Sequence, residues 1–289
     1  MEFALLNGDI IQRSEAKVDV EDRGYQFGDG VYEVIRIYNG KMFTAEQHLE
    51  RFFKSAESIA ISFPYTKPQL KEMLEELLVK NNLATGTIYM QVTRGIAPRN
   101  HVFPTGKVTP TLVAYTIKAE RPLENMKSGV KTILTEDIRW LRCDIKSLNL
   151  LPNLLAKQKA SEQGCFEAIQ HRGQDVTEGS LSNVFIVKNG EVITHESNHL
   201  ILKGITKDVI LKLCSKNYIP VQERTFTLTE LNEAEEVFLS SSISEVMPII
   251  EIDGKKVNAG IPGPLTLKLQ NLFEKEIEKQ CGVLVGKII

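Results

Sequence analysis

Three Asn-Gly pairs constrain the fold of this chain more than any other feature. They are Asn7-Gly8, Asn39-Gly40 and Asn189-Gly190, and each stands between two strand-like runs. Both residue types tolerate the positive φ angles that a two-residue hairpin turn demands. The sequence therefore predicts three tight β-hairpins, in a fold built from hairpins rather than from βαβ units.

Apolar residues recur at helical spacing between these hairpins. Thr44 with Gln47, and Thr66 with Gln69, have the spacing of a capping box, so helices are predicted to begin after both threonines. Three more helices are predicted near 152–163, 206–216 and 264–280. Strands are predicted at 88–92, 111–117, 129–135, 165–171, 183–195, 235–240 and 248–252.

The stretch 119–128 is polar, contains Pro122 and lacks periodicity, so it is predicted to connect two domains. A chain of 289 residues has room for about two domains. The predicted division is 1–120 and 121–289, in an α+β fold. A Rossmann fold is disfavoured, because no predicted strand leads into a G-x-G-x-x-G pattern.

Composition excludes several classes of function. Thirty-five Lys and Arg against 37 Asp and Glu give a net charge of −2, which argues against a broad nucleic-acid surface. The apolar runs are far shorter than the roughly 20 residues of a membrane-spanning helix. Four cysteines without C-x-x-C spacing and five histidines without paired spacing disfavour disulfides and metal, and favour the cytoplasm.

Two short segments contain side chains suited to covalent and acid–base chemistry. Lys146 lies between apolar neighbours just before a predicted helix; it is either a surface lysine or an amine that forms a Schiff base with a carbonyl. Glu178 lies in a segment rich in Gly and Ser that leads into a strand. It is either incidental or the partner of a protonated ring nitrogen.

Two further segments could bind anions. Thr206 follows Gly204 at the predicted start of a helix, where free amides and a hydroxyl form a phosphate site; Ser240, Ser241 and Ser242 add hydroxyls at a strand end. Arg99 and His101 lie on one loop and together could grip a carboxylate. A reactive lysine, a glutamate flanked by Gly and Ser, a phosphate site and a cationic loop together fit one cofactor, pyridoxal 5′-phosphate.

The order of these motifs resembles that of the class IV (fold-type IV) pyridoxal-phosphate aminotransferases over nearly the whole chain. The resemblance lies in EDRGYQFGDGVYE at 21–33, EDIRWLRCDIKSLN at 136–149, VTEGSLSNVF at 176–185 and ILKGIT at 201–206. Within the family it is closest to the bacterial D-amino-acid (D-alanine) aminotransferases, because of Arg99 and His101. The resemblance implies a smaller N-terminal α/β domain and a larger C-terminal, β-barrel-like domain with helices.

The resemblance also implies a role for each matching residue. Lys146 is the Schiff-base lysine and proton shuttle, and Glu178 pairs with the pyridine nitrogen. Tyr32, Arg99 and His101 form the substrate-carboxylate trap, and the Arg99/His101 loop reaches into the neighbouring site of a homodimer. The remaining cofactor contacts are Arg51, Ile205, Thr206, Ser241 and Ser242 around the phosphate, and Leu202 against the ring.

The implied reaction is ping-pong transamination between a D-amino acid and a 2-oxo acid. A branched-chain L-amino-acid aminotransferase or an aminodeoxychorismate lyase of the same fold is the alternative, and Leu151-Pro152-Asn153 is more typical of the branched-chain enzymes. A binding protein that reuses the fold without catalysis is a second alternative. No metal, nucleic acid or membrane partner is expected.

Overall fold

The computed structural model describes residues 2–284 and 286 and divides the chain into two compact units. The first unit consists of Met1–Glu120, Ile145–Asn149 and Gln280–Gly282; the second consists of Arg121–Asp144, Leu150–Lys279 and Val283–Ile289. The α+β, two-domain prediction is thus confirmed. The chain leaves the first unit after residue 120, where the prediction divided it, but it also returns to that unit for the segment that contains Lys146.

The first unit is built on a six-stranded sheet in the order β2-β1-β6-β5-β3-β4, with every neighbouring pair antiparallel. Its helices are α1 (Arg23–Phe27), α2 (Ala45–Ser58) and α3 (Lys67–Lys80). Its strands are β1 (Phe3–Leu6), β2 (Asp9–Gln12), β3 (Gly30–Tyr38), β4 (Lys41–Met42), β5 (Gly86–Thr93) and β6 (Thr111–Lys118).

The second unit contains a nine-stranded sheet in the order β12-β11-β10-β13-β14-β7-β8-β9, with β15 beside β14. Its strands are β7 (Val130–Glu136), β8 (Glu167–Arg172), β9 (Asp175–Gly179), β10 (Asn183–Lys188), β11 (Glu191–Thr194), β12 (Val221–Glu223), β13 (Glu236–Ser241), β14 (Glu245–Ile252) and β15 (Lys255–Lys256). Its helices are α4 (Leu123–Ser128), α5 (Leu151–Glu162), α6 (Ile205–Lys216), α7 (Leu228–Asn232) and α8 (Pro264–Cys281), whose last two residues belong to the first unit. Helix α5 joins the parallel strands β7 and β8, and α6 joins the parallel strands β11 and β12. Two β-α-β crossovers therefore exist among the hairpins of the described chain.

All three Asn-Gly hairpins are confirmed. The asparagines have φ of 52°, 50° and 53° and the following glycines 98°, 71° and 72°, in chain order. Positive φ at both positions matches the right-handed twist of the strands on either side, which is why this dipeptide marks the turn so reliably.

One of the two capping boxes is confirmed and the other is wrong. Thr66 accepts a hydrogen bond from the Gln69 amide while the Gln69 side chain accepts one from the Thr66 amide. Thr44, by contrast, has φ 52° and its hydroxyl donates to the Phe43 carbonyl, so it caps nothing in α2. The left-handed backbone that leads out of β4 turns this side chain away from the helix amides.

Two polar stretches also differ from the prediction. The connection 119–128 contains a short helix, α4, because Met126 is completely buried and ties it to the second unit. Glu178 lies in a strand, β9, rather than in a turn before one. Strand β9 lacks the alternation of apolar and polar residues that identifies a strand, because its buried side chains are partly polar.

Alternation along β3 determines which side chains face away from the core of the first unit. Val31, Ile35 and Ile37 are fully buried in the cluster that α2 and α3 cover, together with Ile145. Successive strand residues point to opposite faces. Tyr32 therefore lies on the other face of the sheet, and Lys146, next after Ile145, is directed the same way.

No helix in the described part of the chain is long and apolar enough to cross a bilayer. Over the same residues, no group of three or more His, Cys, Asp or Glu side chains is arranged to hold a metal ion.

Candidate active site

Backbone pairing fixes the position of Lys146. The Tyr32 amide donates to the Lys146 carbonyl at 3.0 Å, and the Leu148 amide donates to the Gly30 carbonyl at 3.0 Å. The Lys146 amide donates to Ser55 Oγ on α2 at 3.3 Å. The segment thus continues the sheet beside the start of β3, and the lysine backbone cannot move without breaking this pairing.

The amine of Lys146 lies against an aromatic face. Its Nζ is 4.1 Å from the centroid of the Tyr32 ring. Within residues 2–284 and 286 this amine forms no ion pair. A half-buried amine without a carboxylate partner is available for covalent chemistry, in contrast to a lysine neutralised in a salt bridge.

A buried carboxylate orients Arg51. Glu33 is fully buried on the helix side of β3, and its oxygens accept from Arg51 Nε at 2.8 Å and Arg51 Nη2 at 2.7 Å. His48 Nδ1 lies 3.1 Å from the same carboxylate. Burial raises the pKa of Glu33, but Arg51 and His48 outweigh burial and lower it well below its ordinary value. The carboxylate is therefore ionised and holds the guanidinium in one orientation.

The Arg99/His101 loop is exposed. Arg99 and His101 both lie at the surface, and within the described residues neither forms a hydrogen bond or ring contact with Tyr32. No hydrogen bond or ring contact among the described residues thus joins Tyr32 to the other two residues predicted to grip the carboxylate. Their neighbour is Phe27, whose ring lies 5.4 Å from that of His101.

In the second unit, Glu178 is the centre of a buried polar network. Its oxygens accept from Asn183 Nδ2 at 3.0 Å, from the Leu202 amide at 3.1 Å and from Arg139 Nη1. Burial raises the pKa of Glu178, while the Arg139 charge and the Leu202 amide act in the opposite direction. Three donors hold the carboxylate in a single place.

Asp137 in turn braces Arg139. It accepts from Arg139 Nη2 at 2.8 Å and from Arg172 Nε at 3.1 Å, and Thr177 Oγ1 donates to it at 3.0 Å. Although burial raises the pKa of Asp137, the two arginines lower it to about 2. The arginine that faces Glu178 is therefore itself fixed by an ionised carboxylate.

Asn183 links Glu178 to the start of α6. Besides Glu178, its Nδ2 donates to the Leu202 carbonyl at 3.0 Å. A Cβ on Gly204 would collide with Asn183 Oδ1, so only glycine fits there without displacing it. Gly204 is also the N-cap of α6, and no side chain among the described residues caps that helix. The amides of Ile205 and Thr206 therefore begin a helix whose N-cap residue supplies no acceptor.

The serines at the end of β13 have three different environments. Ser240, which pairs with Asn183 across the sheet, is buried and its Oγ has no hydrogen-bond partner among the described residues. Ser241 Oγ lies 2.6 Å from Ser244 Oγ and accepts from the Ser244 amide at 3.0 Å. Ser242 is partly exposed and is followed by the exposed Ile243.

Each unit, taken by itself, contains groups that suit a part of pyridoxal 5′-phosphate. The second unit contains the Glu178 carboxylate, held by three donors, and the start of α6 at Gly204, where a Cβ would not fit. It also contains the buried Ser240 hydroxyl, which has no hydrogen-bond partner among the described residues. The first unit offers the Lys146 amine over an aromatic face and an oriented cation on Arg51. Helix amides, cations and hydroxyls suit a phosphate, and a carboxylate suits a pyridine nitrogen.

Several residues of this arrangement were not singled out from the sequence. Glu33 and His48 support Arg51, while Arg139 and Asn183 support Glu178. Arg139 lies within the segment that resembles the family's lysine motif, but its type and spacing gave no sign that it faces position 178. A contact made through the fold leaves no local pattern.

Comparisons with known proteins agree on one family. The model of the "Amino-transferase class IV" family matches residues 30–252. A D-alanine aminotransferase of Staphylococcus aureus (strain COL) is 52% identical over 278 residues, covering 96% of this chain and 99% of that protein. A D-alanine aminotransferase of Listeria monocytogenes serovar 1/2a is 52% identical over 283 residues, covering 97% of this chain and 98% of its own.

Solved structures share the fold over the full length. The branched-chain amino acid aminotransferase of Escherichia coli superposes with a TM-score of 0.90 at 27% identity, covering 99% of both chains. The branched-chain aminotransferase of the archaeon Thermoproteus uzoniensis, solved with norvaline, superposes with a TM-score of 0.86 at 27% identity, covering 100% of this chain and 99% of that one.

Proposed function

The chain belongs to the class IV aminotransferases, and we propose that it transfers the amino group of a D-amino acid to a 2-oxo acid. The principal donor is D-alanine, and the acceptor is a 2-oxo acid such as 2-oxoglutarate or pyruvate. The observation that carries the proposal is 52% identity over 96% of the chain to a D-alanine aminotransferase. The cellular role that follows is the supply of D-amino acids.

Lys146 is the residue that holds the cofactor and moves the proton. Pyridoxal 5′-phosphate, when bound, supplies a conjugated ring that accepts the electron pair left after a substrate loses its α-proton. Lys146 would hold the cofactor through its aldehyde, and Lys146 Nζ would take the α-proton of the substrate as a general base. Its position over the Tyr32 ring and the absence of an ion pair among the described residues support this role.

The other cofactor residues each have one task. Glu178 keeps the ring nitrogen protonated, since a carboxylate favours the charged form of a neighbouring base. Leu202 would pack against the ring. Arg51 of the first unit would contact the phosphate. In the second unit the Ile205 and Thr206 amides, the Thr206 hydroxyl, Ser241 and Ser242 would do so.

Tyr32, Arg99 and His101 bind the substrate carboxylate, and we propose that they do so across a homodimer. In the described part of one chain, Arg99 and His101 form no hydrogen bond or ring contact with Tyr32. The same loop exposes Val102 and Phe103, which are 69% and 52% accessible. Exposed apolar side chains next to binding residues are typical of a surface that a partner covers.

The cytoplasm of a bacterial cell is the proposed location. All four cysteines are free thiols, and burial raises the pKa of Cys143, Cys214 and Cys281 to about 11, which keeps them protonated. Free, protonated thiols suit a reducing compartment.

One assay tests the reaction. The purified holoenzyme is given D-alanine, L-alanine or L-leucine with 2-oxoglutarate, and the 2-oxo acid formed from each donor is measured. D-alanine is expected to be the donor. The branched-chain alternative, which the likeness to the Escherichia coli enzyme favours, predicts turnover of L-leucine instead. Lyase activity predicts pyruvate from aminodeoxychorismate without any 2-oxo acid.

A second experiment tests the lysine. Borohydride reduction of the holoenzyme should attach the cofactor irreversibly to the peptide that contains Lys146. Lys146→Ala should abolish both labelling and transamination, while Lys54→Ala, which removes an exposed lysine from α2, should change neither. Label on any other lysine would refute the assignment.

Mixed dimers test the shared site. Lys146→Ala and Arg99→Ala subunits should each be inactive or weak alone. When equal amounts are unfolded and refolded together, about half of the dimers are mixed, and each contains one complete site if the loop acts on its neighbour. Activity should then recover to about a quarter of the wild-type value. A loop that serves its own chain would restore nothing.

A further inference from the structure

Arginines and phenylalanines alternate beside the loop that carries Arg99 and His101. The Arg94 guanidinium carbon lies 3.5 Å from the centroid of the Phe103 ring, and that of Arg23 lies 6.0 Å away. The Arg23 carbon is also 4.8 Å from the Phe27 ring, and that of Arg99 is 4.4 Å from the same ring. We call this row, Arg94-Phe103-Arg23-Phe27-Arg99, the arginine–phenylalanine stack.

The inner end of the stack is fixed to the frame of the first unit. Asp29 accepts from Arg23 Nε at 2.7 Å and from Arg94 Nε and Nη2 at 2.8 and 2.9 Å. Arg94 also donates to the Ile59 and Ala60 carbonyls, at 2.8 and 3.0 Å. Arg23 and Arg94 are buried, at 2% and 8% exposure. Buried charges with this many partners have one orientation.

The outer end of the stack holds the loop. Arg23 Nη1 donates to the Asn100 carbonyl at 2.6 Å, between Arg99 and His101. Arg99 itself is held by a long hydrogen bond, from Nη1 to the Gln26 carbonyl at 3.4 Å. Phe27 is the ring that both Arg99 and His101 touch. It ends α1, and Asn149 Nδ2 ties the next residue, Gly28, to the lysine segment at 3.1 Å.

An exposed arginine that makes only a weak hydrogen bond samples many rotamers. Fixing it in one rotamer costs conformational entropy when it binds a substrate. A guanidinium over an aromatic face is held by the ring quadrupole. We infer that Phe27, fixed through Arg23 and Asp29, is the positioning residue for Arg99 and His101 and thereby sets the affinity for the substrate carboxylate. This inference rests on the proposed function of that loop.

The experiment compares holoenzymes with Phe27→Leu, Phe27→Tyr, Arg99→Ala and the Phe27→Leu/Arg99→Ala pair. Phe27→Leu should raise the KM for D-alanine about fivefold and leave kcat near wild type, since it removes the cation–π contact that holds Arg99, together with the one to Arg23. Phe27→Tyr keeps the ring and should behave as wild type. Phe63→Leu, which removes a ring stacked on Phe53 elsewhere in the unit, is the matched control.

The double variant decides whether Phe27 acts through Arg99. If it does, Phe27→Leu adds nothing to the KM in the Arg99→Ala background. Amide hydrogen exchange at 100–102 should also be faster in Phe27→Leu than in Phe63→Leu, and this readout does not depend on activity.

Additive effects on KM, or loop exchange that stays at the wild-type rate, would overturn the inference while the proposed function stands. An Arg99→Ala enzyme with wild-type KM would contradict the carboxylate role itself, and the inference with it.

Discussion

Arg51 and Glu33 form a bidentate pair, with Nε and Nη2 of the arginine 2.8 and 2.7 Å from the two carboxylate oxygens. Glu33 is completely buried, whereas the Arg51 side chain keeps 12% exposure. The carboxylate therefore lies beneath a cation that still reaches the surface. Such a geometry fixes the plane of the guanidinium, as recognition of an anion requires.

Glu33→Gln should weaken cofactor binding. The substitution keeps the shape but removes the charge that orients Arg51, so the Kd for pyridoxal 5′-phosphate should rise about 10-fold to 100-fold. Titration of the apoenzyme, followed by absorbance, measures this Kd. Glu46→Gln, which removes an exposed partner of Lys71 from the helix that carries Arg51, should leave the Kd unchanged. Equal Kd values for both variants would contradict the orienting role.

Glu178→Gln should retain the cofactor and lose turnover. An amide keeps a hydrogen bond with the Leu202 amide but cannot stabilise a protonated ring nitrogen, so kcat should fall about 10²–10⁴-fold. Rapid mixing of the variant with D-alanine measures the half-reaction directly. Undiminished turnover would show that this carboxylate is not the partner of the nitrogen.

Gly204→Ala should loosen the phosphate site. Gly204 has φ −70°, which alanine adopts freely, so the cost comes from the collision of the new methyl with Asn183 Oδ1. We expect a several-fold higher Kd for the cofactor. The control is Gly164→Ala, where φ is +68° but no described atom lies within 4 Å of the new methyl. It should lower stability by about 1 kcal/mol through backbone strain and leave the Kd unchanged.

Acid should weaken the fold through Asp137. The pKa of Asp137 is about 2 in the folded protein, below the ordinary value of 3.8 for an aspartate side chain. A lowered folded-state pKa stabilises the protein at pH values above the ordinary pKa, and this contribution disappears as the pH falls from about 4 towards 2.

Thermal midpoints measured across that window should therefore drop more steeply for wild type than for Asp137→Asn. Asp137→Asn should also unfold at lower temperature near neutral pH, because Arg139 and Arg172 lose a buried partner. Asp144→Asn, which removes the exposed partner of Arg142, should follow the wild-type curve. Parallel curves for wild type and Asp137→Asn would exclude this origin of the pH dependence.

Local features were predictable because their causes lie within a few residues. The Asn-Gly turns depend on φ at two adjacent positions, and the Thr66 capping box depends on residues three apart. The helix predicted after Thr44 is confirmed, since α2 begins at Ala45, but the capping box there was wrong, because Thr44 has a left-handed backbone that its spacing to Gln47 does not reveal. Strand β9 went unrecognised because its polar side chains pair with partners far away in the chain, as Thr177 does with Asp137.

The order of the motifs and the resemblance they create were sufficient to indicate the family. The reactive lysine and the cofactor that they predict stay predictions. Only the tertiary structure decided how these side chains are held: Glu33 beneath Arg51, Arg139 beside Glu178, and Arg23 with Phe27 behind Arg99. Each of these pairs except the last joins residues from separate elements, where burial rather than spacing selects the partner. A sequence pattern records periodicity and local geometry, whereas the orientation of a buried charge is set by whichever opposite charge the fold brings to it.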